Sequence, residues 1–303
     1  MFFTVGKEES LATVGQLAGV DDASVTSPGD LKAAYLGWLR KKVEPVALGA
    51  GGIEPDFVDD AETERQLLRG FITRTDGTEK HAITDASIAK LIQRRDRASV
   101  KRKSSRMSAA SQAMKGVDPE LAKVFGLVVN RVFIAELEGE AGGSSPRHTG
   151  VIWANPPAKA SDWDLVEYLL HEFTHHILYL DEHLHGHYRR VPGIAAGEDV
   201  HVRSVIRKTD RPLRAAFHSL FVGLELLWLR RCVETPEVST FVHPPSEPLL
   251  EACQETIRAI TAIPRWQDHF RPRGRYLFDA CRRGWEALAS TAPEAGVWLF
   301  DAC

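Results

Sequence analysis

Residues 162–184 constrain this chain more than any other segment. Leu165, Val166, Leu169, Leu170, Phe173, Ile177 and Leu178 recur at helical spacing, so the segment predicts a long helix with a buried face, starting near Ser161 or Asp162. Within it lies the run His171-Glu172-Phe173-Thr174-His175. Positions four apart share one helix face, so His171 and His175 aim at a common point while Glu172 faces an adjacent direction. Two uncompensated imidazoles on a buried face are costly. A divalent cation removes that cost, and two His with a neighbouring carboxylate is the arrangement that activates water or oxygen at a metal. Asp162 and Asp164 suit the positive end of the helix dipole, and Gly186 supplies the stop.

A third ligand is required, and the candidates are Glu182, His183, His185, His187, His201, His218 and Glu225. Glu182 shares the face of His175 but lies roughly 10 Å along the axis, out of reach of the same ion unless the helix breaks. The His residues from 183 to 187 fall at or past the helix end and read as solvated. His218 is best placed, in the otherwise apolar stretch AAFHSLFVGLELLWL of a second helix expected from about Asp210 to Arg231. Glu225 shares its face and is the alternative ligand, or a contact to His218 or an Arg. Arg211 precedes His218 by seven residues. Two helical turns separate their backbones by roughly 10 Å, so a guanidinium folding back could grip one end of a dicarboxylate such as 2-oxoglutarate whose other end chelates the metal. The competing reading leaves Arg211 in solvent at the helix start.

The remainder of the 303 residues predicts an α+β, predominantly helical chain. Helices are expected at 30–44, 60–73, 87–114, 246–262 and 276–291. Strands at 128–137 and 149–154 read as an antiparallel hairpin packed on the HExxH helix and on the second metal-ligand helix, with strand 149–155 able to align a peptide by edge pairing. Residues 1–120 form a helical N-terminal lobe, and 121–303 a metal-binding catalytic lobe. The balance of 38 Lys+Arg against 41 Asp+Glu argues against a nucleic-acid-coating role. No apolar run approaches the roughly 18 residues needed to cross a bilayer, and the N-terminus lacks a secretion signal. The four Cys fall in the last third without CxxC spacing, which predicts reduced thiols in a cytoplasmic protein. The basic run 94–106 reads as a solvated helix face, or as a docking surface for an acidic leader peptide.

The stretch 149–231 resembles the 2-oxoglutarate-dependent HExxH-type peptide β-hydroxylases of modified-peptide biosynthesis. Val151-Ile152-Trp153-Ala154-Asn155-Pro156-Pro157, then Leu170 to His175, then Arg211-Pro212-Leu213 and Phe217 to Val222 carry the likeness, over about a quarter of the chain. The resemblance implies Fe(II) held by His171, His175 and His218, 2-oxoglutarate bound by Arg211, and O2-dependent hydroxylation of a β-carbon in a peptide or amino-acid-like substrate. Glu172 would then orient a ligand or water. In the alternative, a zinc-dependent HExxH peptidase or hydrolase, Glu172 is the general base on a Zn(II)-bound water. The unusually His-rich segment after the motif and the short chain depart from the family pattern.

Overall fold

The computed structural model describes residues 1–22, 26–72, 96–136, 142–190, 195–233 and 241–290. Among these the helices are α1 (Phe2–Val5), α2 (Lys7–Ala18), α3 (Pro28–Leu39), α4 (Ala61–Ile72), α5 (Arg97–Val117), α6 (Pro119–Val128), α7 (Asp162–His185), α8 (Leu213–Arg231), α9 (Ser246–Ala262) and α10 (Pro272–Ser290). The strands are β1 (Asp56–Val58), β2 (Arg131–Ile134), β3 (Gly142–Gly143), β4 (Val151–Ala154), β5 (His201–Arg203) and β6 (Asp210–Pro212). The chain is therefore α+β and predominantly helical, with a four-stranded sheet in the order β1-β2-β4-β3 and a two-stranded ribbon β5-β6. Residues 87–95 of the expected basic helix lie outside the described residues; from Arg97 onward it is helical.

The expected hairpin is corrected. β2 and β4 run parallel, Arg131 opposite Val151 and Ile134 opposite Ala154, and β1 joins β2 in parallel as well. The antiparallel partner of β4 is the short β3 on its other side. The Gly/Ser/Pro segment between the two predicted strands does not reverse the chain beside β2; it supplies a strand beyond β4 and then returns. Among the described residues β4 is consequently an inner strand, between β2 and β3 with all four residues buried, rather than the edge strand a pairing peptide would add to. Gly142 permits the arrangement. At φ +123° it lies where a Cβ would sit 2.1 Å from the Tyr168 hydroxyl and 2.4 Å from the Trp153 carbonyl. That hydroxyl donates to the same carbonyl at 2.6 Å, tying α7 to β4.

One apolar core takes in residues from both predicted lobes, among them Met1, Leu31, Tyr35 and Met107 with Phe173, Phe217, Leu224 and Phe278. At its centre α7 lies against α8, and α2, α5 and α6 also pack on α7. Lys32 crosses this core almost fully buried. Its ammonium donates to the Gly126 and Leu127 carbonyls at 2.8 and 3.0 Å and to Asn130 Oδ1 at 2.6 Å. It thus satisfies carbonyls at the C-terminal end of α6. Lys32→Met is expected to cost about 3 kcal/mol in urea unfolding, because those buried acceptors lose their donor; an unchanged midpoint would refute the capping role. Among the described residues Cys253 and Cys281 are buried free thiols. Among the described residues no helix is long and apolar enough to cross a membrane.

Candidate metal centre

Helix α7 is built for accuracy at its N-terminus. Ser161 Oγ accepts from the Asp164 N–H at 3.0 Å, and Asp164 Oδ2 accepts from the Ser161 N–H at 2.7 Å, a reciprocal capping box. The second Asp164 oxygen accepts from the Phe241 and Val242 N–H groups at 3.1 and 3.2 Å. The same carboxylate that caps the helix therefore docks the strand of chain leading to His243.

His243 completes a buried relay behind His171. Arg230 of α8 binds both oxygens of Glu167, through Nε at 2.6 Å and Nη2 at 2.9 Å. Glu167 Oε2 lies 3.2 Å from His243 Nδ1, and His243 Nε2 lies 2.9 Å from His171 Nδ1. The proton order follows from the charge on Glu167. His243 donates through Nδ1 to the carboxylate, so its Nε2 accepts from His171 Nδ1–H, and His171 Nε2 keeps its lone pair. Burial is the largest single influence and pushes the Glu167 carboxyl up, but the hydrogen bonds and charges of His243 and Arg230 together outweigh it and hold the group below the usual carboxylate range. Neither Glu167 nor His243 was found in the sequence, although Glu167, four residues before His171, extends the polar spacing 167-171-175 along an apolar helix. His243→Ala is expected to weaken metal binding about 10–100-fold, the usual effect of removing such a partner. Equilibrium dialysis checks it, and an unaltered affinity would remove the relay from the site.

His175, one turn further along α7, meets His218 of α8. Their Nδ1 atoms are 3.3 Å apart and their rings stack with centroids 5.5 Å apart. Nitrogens at about 2.0–2.1 Å from a tetrahedral ion are roughly 3.3–3.4 Å from each other, so this pair has the spacing of two ligands of one cation. His171 stands beside them, its ring centroid 5.0 Å from that of His175. All three are neutral. Burial, then the His175, His243 and Arg207 charges, holds His171 well below its ordinary value; burial takes His175 down to about 4; burial and His175 lower His218 strongly. His171 and His175 are half-buried, while His218 is buried and its Nε2 has no hydrogen-bond partner. The following His176 has a different duty. It accepts from the Gly150 N–H at 3.4 Å through Nδ1 and reaches the Val151 carbonyl at 3.2 Å, locking α7 to β4.

Glu172 is buried beside this group, Oε1 at 3.9 Å from His171 Nε2 and Oε2 without a partner. Burial raises its carboxyl to about 7, opposed by Ser144 and by the charge of Arg207. Tyr179 continues the same helix face, half-buried, with its ring 6.1 Å from that of His175 and 5.3 Å from that of His218.

The remaining predicted residues fall elsewhere. Glu225 is not a ligand. Fully buried, it receives the Met1 amine at 2.5 Å and the Phe3 and Thr4 N–H groups at 2.9 and 2.8 Å, on the side of α8 facing α1. Arg211 belongs to β6 and is exposed, because α8 begins only at Leu213. The helical spacing that set its guanidinium over His218 does not exist; the Pro212 ring and the ribbon pairing of Arg211 with Val202 hold this segment extended. The arginine whose charge reaches His171 and Glu172 is Arg207, exposed in the turn between β5 and β6. Ser219 anchors that turn, accepting from the Val205 N–H at 3.0 Å one residue after His218. Glu182 pairs with Arg214 at 3.2 Å and lies within a cluster with His187 and His218 whose ligand atoms are all within 4.8 Å of one another. His187 is fully buried, against the reading of the 183–187 segment as solvated; His183 and His185 are exposed. In the basic run, Lys103 pairs with Glu136 at 2.5 Å and Arg106 with Asp162 at 2.9 Å, while Arg97 and Lys101 are exposed.

The sequence matches no model of a known protein family and no curated protein.

Proposed function

We propose that this chain is a metal-dependent enzyme, an Fe(II)/2-oxoglutarate oxygenase that hydroxylates a β-carbon of a peptide or amino-acid-like substrate. The observation that carries the metal is the 3.3 Å approach of the His175 and His218 Nδ1 atoms from two separate helices, with both rings neutral. His171, His175 and His218 would hold a divalent transition ion, the His175–His218 pair already having the spacing of two ligands. The likeness of segment 149–231 to the HExxH-type β-hydroxylases supplies the reaction class. When bound, Fe(II) and 2-oxoglutarate supply oxidation of a C–H bond by O2, with 2-oxoglutarate leaving as succinate and CO2.

The protein's part is placement. Glu167 and His243 fix the tautomer and orientation of His171. Glu172 is buried where it can orient a water or substrate group by hydrogen bonding. Arg207, exposed and with its charge felt by His171 and Glu172, would suit one end of a dicarboxylate, the role expected of Arg211. The basic residues Arg97 and Lys101 remain available to an acidic leader peptide.

A second reading, a zinc-dependent hydrolase, is favoured by one observation. Glu172, with a carboxyl near 7 and a free Oε2, suits a general base acting on a water. Turnover separates the two. Chelator-stripped protein given Fe(II), 2-oxoglutarate and O2 is expected to form succinate, slowly without substrate, and Arg207→Ala is expected to lower that rate more than Arg211→Ala. Peptide cleavage with Zn(II), and no succinate under any condition, would replace the first reading with the second.

A further inference from the structure

We propose that Glu182, His187 and His218 form a second site for a divalent transition-metal ion, next to the HExxH centre and sharing His218 with it. The proposal rests on the preceding reading only in that shared ring. The ligand atoms of the three side chains lie within 4.8 Å of one another. Two buried nitrogens there have no partner: His187 Nδ1, in a residue 0% exposed, and His218 Nε2, in a residue 4% exposed. A buried ring nitrogen left without a partner is costly, and two in one cluster point to a missing cation.

The chain is shaped to bring them together. Gly186, at φ 69°, ends α7 and turns the backbone, so that His187 comes back beside Glu182 of the last helical turn. His187 is then fixed from behind: its Nε2 lies 2.6 Å from Asp181 Oδ1, and Asp181 is itself gripped by Arg273. A carboxylate on one imidazole nitrogen orients the other toward a metal and raises its basicity. Glu182 Oε2 is held by Arg214 at 3.2 Å, which leaves Oε1 as the donor. His218 faces His175 through Nδ1, which leaves Nε2 for this second group; with an ion on each nitrogen the ring bridges as an imidazolate, its N–H proton released to water on loading. Two imidazoles and one carboxylate suit Zn(II), Co(II) or Fe(II), with open positions for water or substrate.

The test is metal stoichiometry in the full chain, stripped with chelator and titrated with Co(II) alone. Calorimetry and elemental analysis after desalting give the count, and circular dichroism establishes that each variant is folded. The wild type is expected to bind two equivalents. His187→Gln and Glu182→Gln each lose one equivalent and keep the other, whereas His171→Ala keeps the equivalent that those two variants lose. A wild type that binds one equivalent, unaffected by both His187→Gln and Glu182→Gln, overturns the second site. A single equivalent that survives His171→Ala but not Glu182→Gln upholds this site and overturns the HExxH centre instead.

Discussion

In the His218→Leu variant, bound metal is expected to fall more than about 100-fold in affinity while the metal-free protein unfolds at nearly the same urea concentration. The reasoning is one of atoms. Leucine fills a similar volume on the buried face of α8, so packing is largely kept. What disappears is the nitrogen 3.3 Å from His175 Nδ1, together with the buried Nε2 that has no partner. Losing a direct ligand should exceed the 10–100-fold loss typical of a supporting residue. Removing an unpaired buried polar atom should not weaken the apo fold, and a gain of about 1 kcal/mol is reasonable. A core histidine with a purely structural duty predicts the reverse, with stability lost and metal content untouched. Dialysis against Zn(II) and urea denaturation, run on the same preparation, distinguish these outcomes.

Glu225→Ala is expected to have the opposite signature, a loss of about 3–5 kcal/mol of stability with metal affinity unchanged. The carboxylate is fully buried and accepts from the Met1 amine and from two backbone N–H groups. Burial lowers the affinity of that amine for its proton, and Glu225 opposes the effect. Truncation leaves an amine and two amide donors in a dry interior with nothing to accept them. Glu225→Gln keeps an acceptor and should lose less. Urea unfolding gives the number; a midpoint within error of wild type would show that the N-terminal contact contributes nothing.

How much of this was legible in the sequence depended on whether a signal was local. The helices at 246–262 and 162–184 followed from apolar spacing and capping residues, and the structure bounds them at Ser246–Ala262 and Asp162–His185. His175 and His218 were found because a histidine in an apolar helix requires a partner, and the two are indeed in contact. Strand direction was not legible. Two apolar segments separated by a Gly/Ser/Pro stretch read as a hairpin, but pairing order depends on which neighbour each edge meets, and here β3 takes the antiparallel place beside β4. Arg211 was misplaced for a related reason. The Asp-Arg-Pro sequence predicts a helix start, whereas ribbon pairing with β5 delays α8 to Leu213. Glu182 lies in the unbroken helix α7, and the turn at Gly186 gives it a different neighbour, the later His187, which no helical spacing could anticipate. His243 has no periodic context at all; only Asp164 and Arg230, far away in sequence, place it beside Glu167 and His171.

Asp164 couples the motion of two distant segments. One of its oxygens closes the first turn of α7 and the other fixes the backbone just before His243. Fraying of that turn therefore cannot stay local. Each opening releases the loop bearing His243, and with it the support for the Nδ1 proton of His171, about two helical turns away. Protection of the Ser161 and Val242 amides from hydrogen exchange should consequently rise together when the protein takes up an ion, so that loading the centre is felt at the far end of the helix as a slower breathing of its first residues.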